Sequence, residues 1–560
     1  MSRNPAKPSL VRRVVVPILL AAAGLVVADT SSEAAITCAD LETLNIAASE
    51  ITLPTTGASI LSSQMATVPA NPATPGVTRE YCRILGAIAP VDPSAPPINF
   101  EVNLPIEWNG KAVQYGGGGS NGTLVTGLGP LRDARRDTPV PIARGFATWG
   151  TDSGHQNEKL SEPRAFALND ESFVNMAYAS YKKTYDVARR LAQAFYDRAP
   201  SKIYFYGGSE GGREALMMAQ RFPAAFDGIV SVVPVAHYVG GGLARARLSM
   251  LQRDGGWINP AKVKLIHGAV IAACDRLDGL ADGVISAYEA CTGVFDVGTL
   301  RCPGGADAGD SCLSDTQIAV DRMIHSPLKY PFPLKHGVTS FPGWNYGGED
   351  QPGGMVDAVT GSEAPQFPIV TAQTQSDAWI TADAFTRLYY ARDPKFNTLQ
   401  FSTTDFAGRL REVSELFDAT DPDLSAFLTR GGKLILKGNG ADYTRSLLQE
   451  VSYYNGVVAK MGQAQVDSFI RFYVTPGVNH GGEGVMSGGA PVPSDVDLLG
   501  ALDDWADGGK APGVLAQVTQ ERDTPFRVTA SRPMCRYPEY PRYNGQGDPA
   551  AASSFTCTKQ

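Results

Sequence analysis

Ser209 stands in Tyr206-Gly207-Gly208-Ser209-Glu210-Gly211-Gly212-Arg213, a G-x-S-x-G pattern that puts a hydroxyl where little side chain surrounds it. A serine hydroxyl attacks a carbonyl only when a base removes its proton and a carboxylate holds that base. The chain has six histidines. His480, in Pro476-Gly477-Val478-Asn479-His480-Gly481-Gly482, follows a strand-like run and comes after the serine, the order this turn requires on an open parallel sheet. His155 precedes the serine, and His237, His267, His325 and His336 lie in or beside a central stretch of different texture, so these read as structural or cleft-lining. Asp442 closes Lys437-Gly438-Asn439-Gly440-Ala441-Asp442 just past another strand-like run. It supplies the carboxylate in the order serine, acid, histidine; its competing reading is a turn-forming aspartate. Asp495, Asp497, Asp503 and Asp504 follow His480 and would break that order. The negative charge that develops on a carbonyl oxygen needs backbone N–H donors already in place. Glu210, the residue after the serine, offers one, and the loop Gly116-Gly117-Gly118-Gly119-Ser120-Asn121-Gly122 offers a second.

These residues must be carried by elements that end at one edge. Short β-rich runs at 98–104, 112–115, 146–149, 203–206 and 229–233 are closed by Gly, Pro or Asp, and a helix is expected over 178–195 from apolar residues at three- and four-residue steps. A further helix is expected over 214–221, ended by Pro223. Strands alternating with helices argue for an α/β class, a parallel sheet covered on both faces. From 236 to 419 Gly, Pro and polar loops dominate, and strand-like runs return at 433–437 and 469–474. The expected organisation is therefore a catalytic domain formed by 36–235 and 420–560, interrupted by a lid domain at 236–419.

The composition, 43% hydrophobic and 19% charged, excludes disordered and fibrous classes. A net charge of -8 argues against nucleic acid as a partner. Arg3, Lys7, Arg12 and Arg13 precede an apolar run from Val14 to Ala28, read as a signal peptide over 1–28, with Ala34 or Ala35 as alternative cleavage points. The run is shorter than the ~20 residues of a spanning helix, so a secreted or periplasmic bacterial protein without a membrane anchor is expected. Eight cysteines suit that oxidising compartment, but over a hundred pairings are open to them. Cys274-Asp275-Arg276-Leu277-Asp278-Gly279-Leu280-Ala281-Asp282-Gly283-Val284 reads either as an oxygen-rich site for a hard cation or as two solvated Asp–Gly turns. No organic cofactor and no oligomeric state are implied.

The serine segment, continuing through Met217-Met218 to Gln220-Arg221-Phe222-Pro223, together with Trp108-Asn109-Gly110, Thr151-Asp152-Ser153-Gly154-His155 and Pro476-Gly477-Val478-Asn479-His480, resembles the tannase and feruloyl esterase family over most of the chain. The resemblance implies an α/β-hydrolase core with a lid, and Ser209, Asp442 and His480 as the triad. It also implies Gly119 and Glu210 as oxyanion donors, and small esters of aromatic acids of terephthalate, ferulate or gallate type as substrates. A structural calcium in the lid is implied too, on Asp275, Asp278, Asp282 and the carbonyls of Leu280 and Val284. The implied disulfides are Cys38 with Cys82, Cys274 with Cys291, Cys302 with Cys312, and Cys535 with Cys557.

Two departures stand out. The family usually has cysteines before the nucleophile and after the histidine, bridging the two loops; here they are Gly208 and Gly481, so a looser histidine loop is expected. The lid matches no substrate-gripping pattern. Arg445 reads as a contact for a substrate carboxylate or phenol, or as a surface arginine, and Trp344 and Trp379 as walls of an aromatic pocket or as packing. The rivals to an esterase are a catalytically silent exported binding protein on the same scaffold and a peptidase.

Overall fold

The computed structural model describes residues 36–68 and 79–559, and the expected signal peptide lies outside them. The strands that matter to the site are, in chain order, β1 (Asn45–Ile46), β2 (Gly57–Thr67), β3 (Glu80–Ala89), β4 (Ile98–Pro105), β5 (Lys111–Tyr115), β6 (Ala147–Thr151), β7 (Lys202–Gly208) and β8 (Gly228–Val232). They are followed by β9 (Leu328–Lys329), β10 (Ser340–Phe341), β11 (Lys433–Asn439) and β12 (Ile470–Thr475). Ten of these form one sheet in the order β1-β2-β3-β4-β6-β5-β7-β8-β11-β12. The pairs from β6 through β12 are parallel, and those from β1 to β6 through β4 are antiparallel.

Burial on both faces explains why the parallel strands are near-continuous apolar runs. Every residue of β8 is buried. Along β7, Ile203 and Phe205 enter one core while Tyr204 and Tyr206 enter the other, the period-two alternation of a strand. The first core is covered by the helices Ser180–Tyr196, Glu210–Arg221 and Leu447–Met461, and the second by Leu498–Ala506. This is the α/β-hydrolase arrangement, with strand ends delivering side chains to one edge of the sheet.

β8 and β11 are direct neighbours, Gly228 opposite Lys433, so the chain between them leaves the sheet and returns. That excursion is mostly helical, including Tyr238–Leu251, Pro260–Cys274, Asp315–Ile324 and Asp377–Ala384, with β9 and β10 as a separate ribbon. Its helices carry their own start signals. The Asn259 side chain accepts from Lys262 N–H ahead of Pro260, and Ser314 forms a capping box with Gln317.

All four expected disulfides are present: Cys38–Cys82, Cys274–Cys291, Cys302–Cys312 and Cys535–Cys557. Each closes a local loop, and the second brackets the acidic loop of the insertion. No helix among the described residues is long and apolar enough to cross a membrane.

Candidate active site

Ser209 sits between β7 and the helix Glu210–Arg221 with φ 60° and ψ -119°, a conformation that non-glycine residues adopt only when their surroundings enforce it. The enforcement is visible. Ser209 N–H donates to Val232 C=O (2.9 Å), and Arg213 N–H donates back to Ser209 C=O (3.1 Å). A Cβ on Gly207 would lie 2.1 Å from the Gly211 oxygen, and one on Gly211 would lie 2.5 Å from the Gly117 oxygen. Only glycine lets the turn close this tightly against the Gly116–Gly122 loop.

His480 Nε2 is 2.8 Å from Ser209 Oγ, and His480 Nδ1 is 2.7 Å from Asp442 Oδ2. A carboxylate only accepts, so Nδ1 carries the proton and Nε2 is left to accept from the serine O–H. Asp442 is buried and also accepts from Arg445 N–H at 2.7 Å. Burial alone would raise its carboxyl, but His480 and Arg445 outweigh that and hold it below the usual aspartate range. The two loops that carry these residues are laced together: Gly440 N–H donates to Thr475 C=O, Ala441 N–H to Val478 C=O, and Asn439 Nδ2 to Asn479 C=O. Asn479 adds a further anchor through Nδ2 to Pro352 C=O (2.7 Å). Thus the histidine loop, which has no bridging cysteines, is held by hydrogen bonds. Where one cysteine would sit, a Cβ on Gly208 would lie 2.2 Å from Arg132 Cδ.

The amides of Gly119 and Glu210 donate to no acceptor among the described residues, and both line the same cavity beside the serine. Gly119 has φ +63°, which turns the loop there. The Glu210 side chain points away into a buried pair with Arg213, whose guanidinium also donates to the carbonyls of Ala177 and Met176. Glu214, one turn further on, accepts from Gly117 N–H (3.0 Å) and from Asn121 Nδ2, fastening the glycine loop to the helix. Neither this brace nor the Glu210–Arg213 pair was anticipated from sequence. Their only trace there is the spacing of charged residues on an otherwise apolar helix.

Two clefts share Gly119, and one of them includes the serine. One is lined by Gly208, Ser209, His480, Gly481 and Arg132. The other is lined by Gly119, Glu210, Tyr238, Phe341, Phe385 and three arginines, Arg164, Arg245 and Arg445. Arg445 thus lies in the site. Trp344 and Trp379 do not line either cleft: Trp344 is buried against Phe341, and Trp379 donates to Gln366 C=O and lines a separate cavity. The aromatic walls are instead Tyr238, Phe341 and Phe385, which sequence reasoning missed. His237 lines the second cleft, whereas His155 is buried and stacks on Phe166.

In the loop Asp275–Val284, Asp275 and Asp278 are buried, and burial raises both carboxyls, Asp278 to about 6. Among the described residues Asp278 Oδ2 meets no hydrogen-bond donor, while Asp275 Oδ1 accepts from Asp282 and Gly283 N–H, and Asp282 pairs with Arg532. The all-oxygen donor set and the orphaned carboxylate oxygen fit a hard cation. Among the described residues no three acidic, histidine or cysteine side chains form a metal-binding cluster, so the carbonyls of Leu280 and Val284 would have to contribute.

Comparison with known proteins places the chain. Residues 82–558 match the family model of tannase and feruloyl esterase. An uncharacterized esterase of Agrobacterium fabrum is 37% identical, the match covering 93% of this chain and 92% of the relative. The mono(2-hydroxyethyl) terephthalate hydrolase of Piscinibacter sakaiensis is 32% identical, covering 85% of each. The crystal structure of feruloyl esterase B from Aspergillus oryzae superposes with a TM-score of 0.73 over 93% of this chain and 99% of that one, at 22% identity. With its fold, its serine turn and its near full-length match to the family model in agreement, the chain belongs to the tannase and feruloyl esterase family.

Proposed function

We propose that this protein is an exported serine esterase that hydrolyses carboxylic esters of aromatic acids through an acyl-enzyme. The observation that carries the reading is the continuous hydrogen-bonded line from Ser209 Oγ through His480 to Asp442, ending on a serine held at positive φ. His480 Nε2 takes the serine proton as Oγ attacks the ester carbonyl carbon. The resulting oxyanion lies at the N-terminus of the helix Glu210–Arg221, within reach of the free Gly119 and Glu210 amides. His480 then gives its proton to the departing alcohol oxygen, leaving the acyl group on Ser209. A water repeats the sequence: His480 takes its proton, hydroxide oxygen bonds to the acyl carbon, and the serine leaves with the proton returned to it. Asp442 stays ionised throughout and stabilises the imidazolium.

The insertion 236–419 is assigned the role of lid, since it supplies Tyr238, Phe341 and Phe385 to the cleft. The Asp275–Val284 loop would hold one structural calcium and takes no part in the chemistry. Four disulfides, which form and persist in oxidising compartments, support a secreted or periplasmic location. Ser209→Ala should abolish hydrolysis of methyl ferulate, methyl gallate and terephthalate monoesters alike while the protein stays folded. Retained turnover in that variant would end the proposal. A silent binding protein would have no use for a strained serine aligned with a base, and this favours the esterase over its rival.

A further inference from the structure

Lys437 is the only charged residue among the buried positions of β11. It stands in the middle of the parallel sheet, between Val232 of β8 and Tyr473 of β12, and its side chain is fully buried. A charge in such a place is expensive unless it is paired. Its partner is Asp133, far away in the chain, whose side chain is itself only 3% exposed and whose Oδ2 lies 2.7 Å from Lys437 Nζ. Asp133 is delivered on a strained turn. It stands at φ +58°, and the turn is pinned by Tyr206 Oη donating to Arg132 C=O (2.6 Å) and by Val496 N–H donating to Asp133 C=O (2.7 Å).

The pair is wired to both catalytic loops. Lys437 Nζ also donates to Asn439 Oδ1 (2.9 Å), and Asn439 Nδ2 donates to the carbonyl of Asn479 (2.8 Å), the residue before His480. On the backbone side, Lys437 C=O accepts from Val233 N–H (2.7 Å), and the adjacent Val232 C=O accepts from Ser209 N–H (2.9 Å). One lysine therefore meets the support of the nucleophile with its main chain and the loop of the base with its side chain. The Arg132–Asp133 turn also fills the space between those loops. Arg132 Cδ would lie 2.2 Å from a Cβ on Gly208, just before the serine, and Asp133 Oδ1 would lie 2.7 Å from one on Gly482, just after the histidine. Arg132 in this position and a bridging cysteine at 208 exclude one another.

We infer that Asp133 and Lys437 are positioning residues of the triad, forming a charged clasp that runs through Asn439 to Asn479 and sets the His480 loop against the Ser209 turn where no disulfide does so. The inference rests on Ser209 as nucleophile and His480 as base. The clasp touches no reacting atom and acts through His480. Its competitor is a pair that only neutralises itself within the sheet.

The decisive variant removes both charges together, Asp133→Asn with Lys437→Met, so that no lone charge is left buried; asparagine also tolerates the left-handed backbone at 133. A self-neutralising pair would lose nothing by this. A clasp should lose about 10- to 100-fold in kcat, with KM changed by less than about 2-fold, because the base is displaced from the serine. The rate at which a fluorophosphonate labels Ser209 should fall in parallel. Asn439→Ala cuts the same line one residue later, leaves the ion pair in place, and decides the matter if the charge-free pair does not fold. It should show the same loss of kcat, and adding it to the charge-free pair should cost nothing further. Wild-type kcat in either variant, a loss carried by KM alone, or losses that multiply when the changes are combined overturn the clasp. Each of these leaves the esterase reading intact, since the wild-type protein is still labelled on Ser209. A folded wild-type protein that is not labelled there overturns both.

Discussion

Glu214 gives the sharpest physical prediction. It is fully buried, and its two oxygens brace Gly117 and Asn121 of the glycine loop. Burial, then the neighbouring Glu210 carboxylate, push its carboxyl from 4.5 up to about 7. Below about pH 4.5 residue 214 is protonated in both the folded and the unfolded chain and contributes nothing to pH dependence. As pH rises from there to 7 the unfolded chain gives up the proton while the native state keeps it, so stability falls, and above 7 the full penalty of about 3 kcal/mol is in force. Glu214→Gln never ionises, and its amide can still meet the loop because Asn121 Oδ1 has no partner among the described residues and can turn to accept. With an unfolding entropy of ~2 cal/mol/K per residue over roughly 520 folded residues, 3 kcal/mol corresponds to about 3 °C in Tm. Scanning calorimetry of both proteins from pH 4.5 to 8.5 should show the variant gaining about 3 °C on the wild type across that range, whatever constant offset the altered hydrogen bonds impose. A Tm difference that does not change with pH, or one that moves against the variant at high pH, would refute the reasoning.

Three further outcomes are expected. Asp442→Asn removes the charge that fixes the His480 tautomer, and steady-state kinetics should show kcat reduced by about 10³–10⁴-fold with little change in KM. Gly208→Cys combined with Gly481→Cys, once bridged, should raise Tm above that of its reduced form by tying the histidine loop down. Because a Cβ at 208 displaces Arg132 whereas one at 481 meets only Asn479 Oδ1 at 3.2 Å, Gly208→Cys alone should lose more stability than Gly481→Cys alone; a bridged protein with unchanged Tm and turnover would show that the hydrogen bonds through Asn479 already hold the loop. Chelation by EDTA should lower Tm, and calcium should restore it, with the Asp278→Asn variant insensitive to both.

The parts of this molecule legible in its sequence are those fixed by local pattern. The runs at 112–115, 203–206 and 229–233 became β5, β7 and β8 within one to two residues, because parallel strands buried on both faces are largely apolar and stop abruptly at Gly or Pro, and the run at 98–104 became β4, an antiparallel strand buried along nearly its whole length. The nucleophile helix starts at Glu210 rather than 214, since Gly211 and Gly212 look like loop residues until the close approach of Gly116 and Gly117 is seen. β2 went unnoticed because Ser, Ala and Gln dominate it and much of it is exposed. The order serine, acid, histidine could be read from loops that follow strands. Convergence could not: Arg164, Arg245 and Arg445 are far apart in the chain and meet only because the insertion folds back over the sheet edge. Arg245 did leave one signal, a cation within an otherwise largely apolar helix. For Trp344 and Trp379 the sequence left pocket wall and packing equally open, because large aromatics serve packing as readily as binding, and both are buried within the insertion.

The central claim is that Ser209 is a nucleophile activated by His480. It is tested most directly by incubating the mature protein with a fluorophosphonate and locating the adduct by peptide mass spectrometry. The account predicts one adduct per chain, on Ser209, formed at a rate that falls by orders of magnitude in His480→Ala and to zero in Ser209→Ala. An unmodified Ser209 in the folded wild-type protein, or labelling that proceeds as fast without His480, would contradict it.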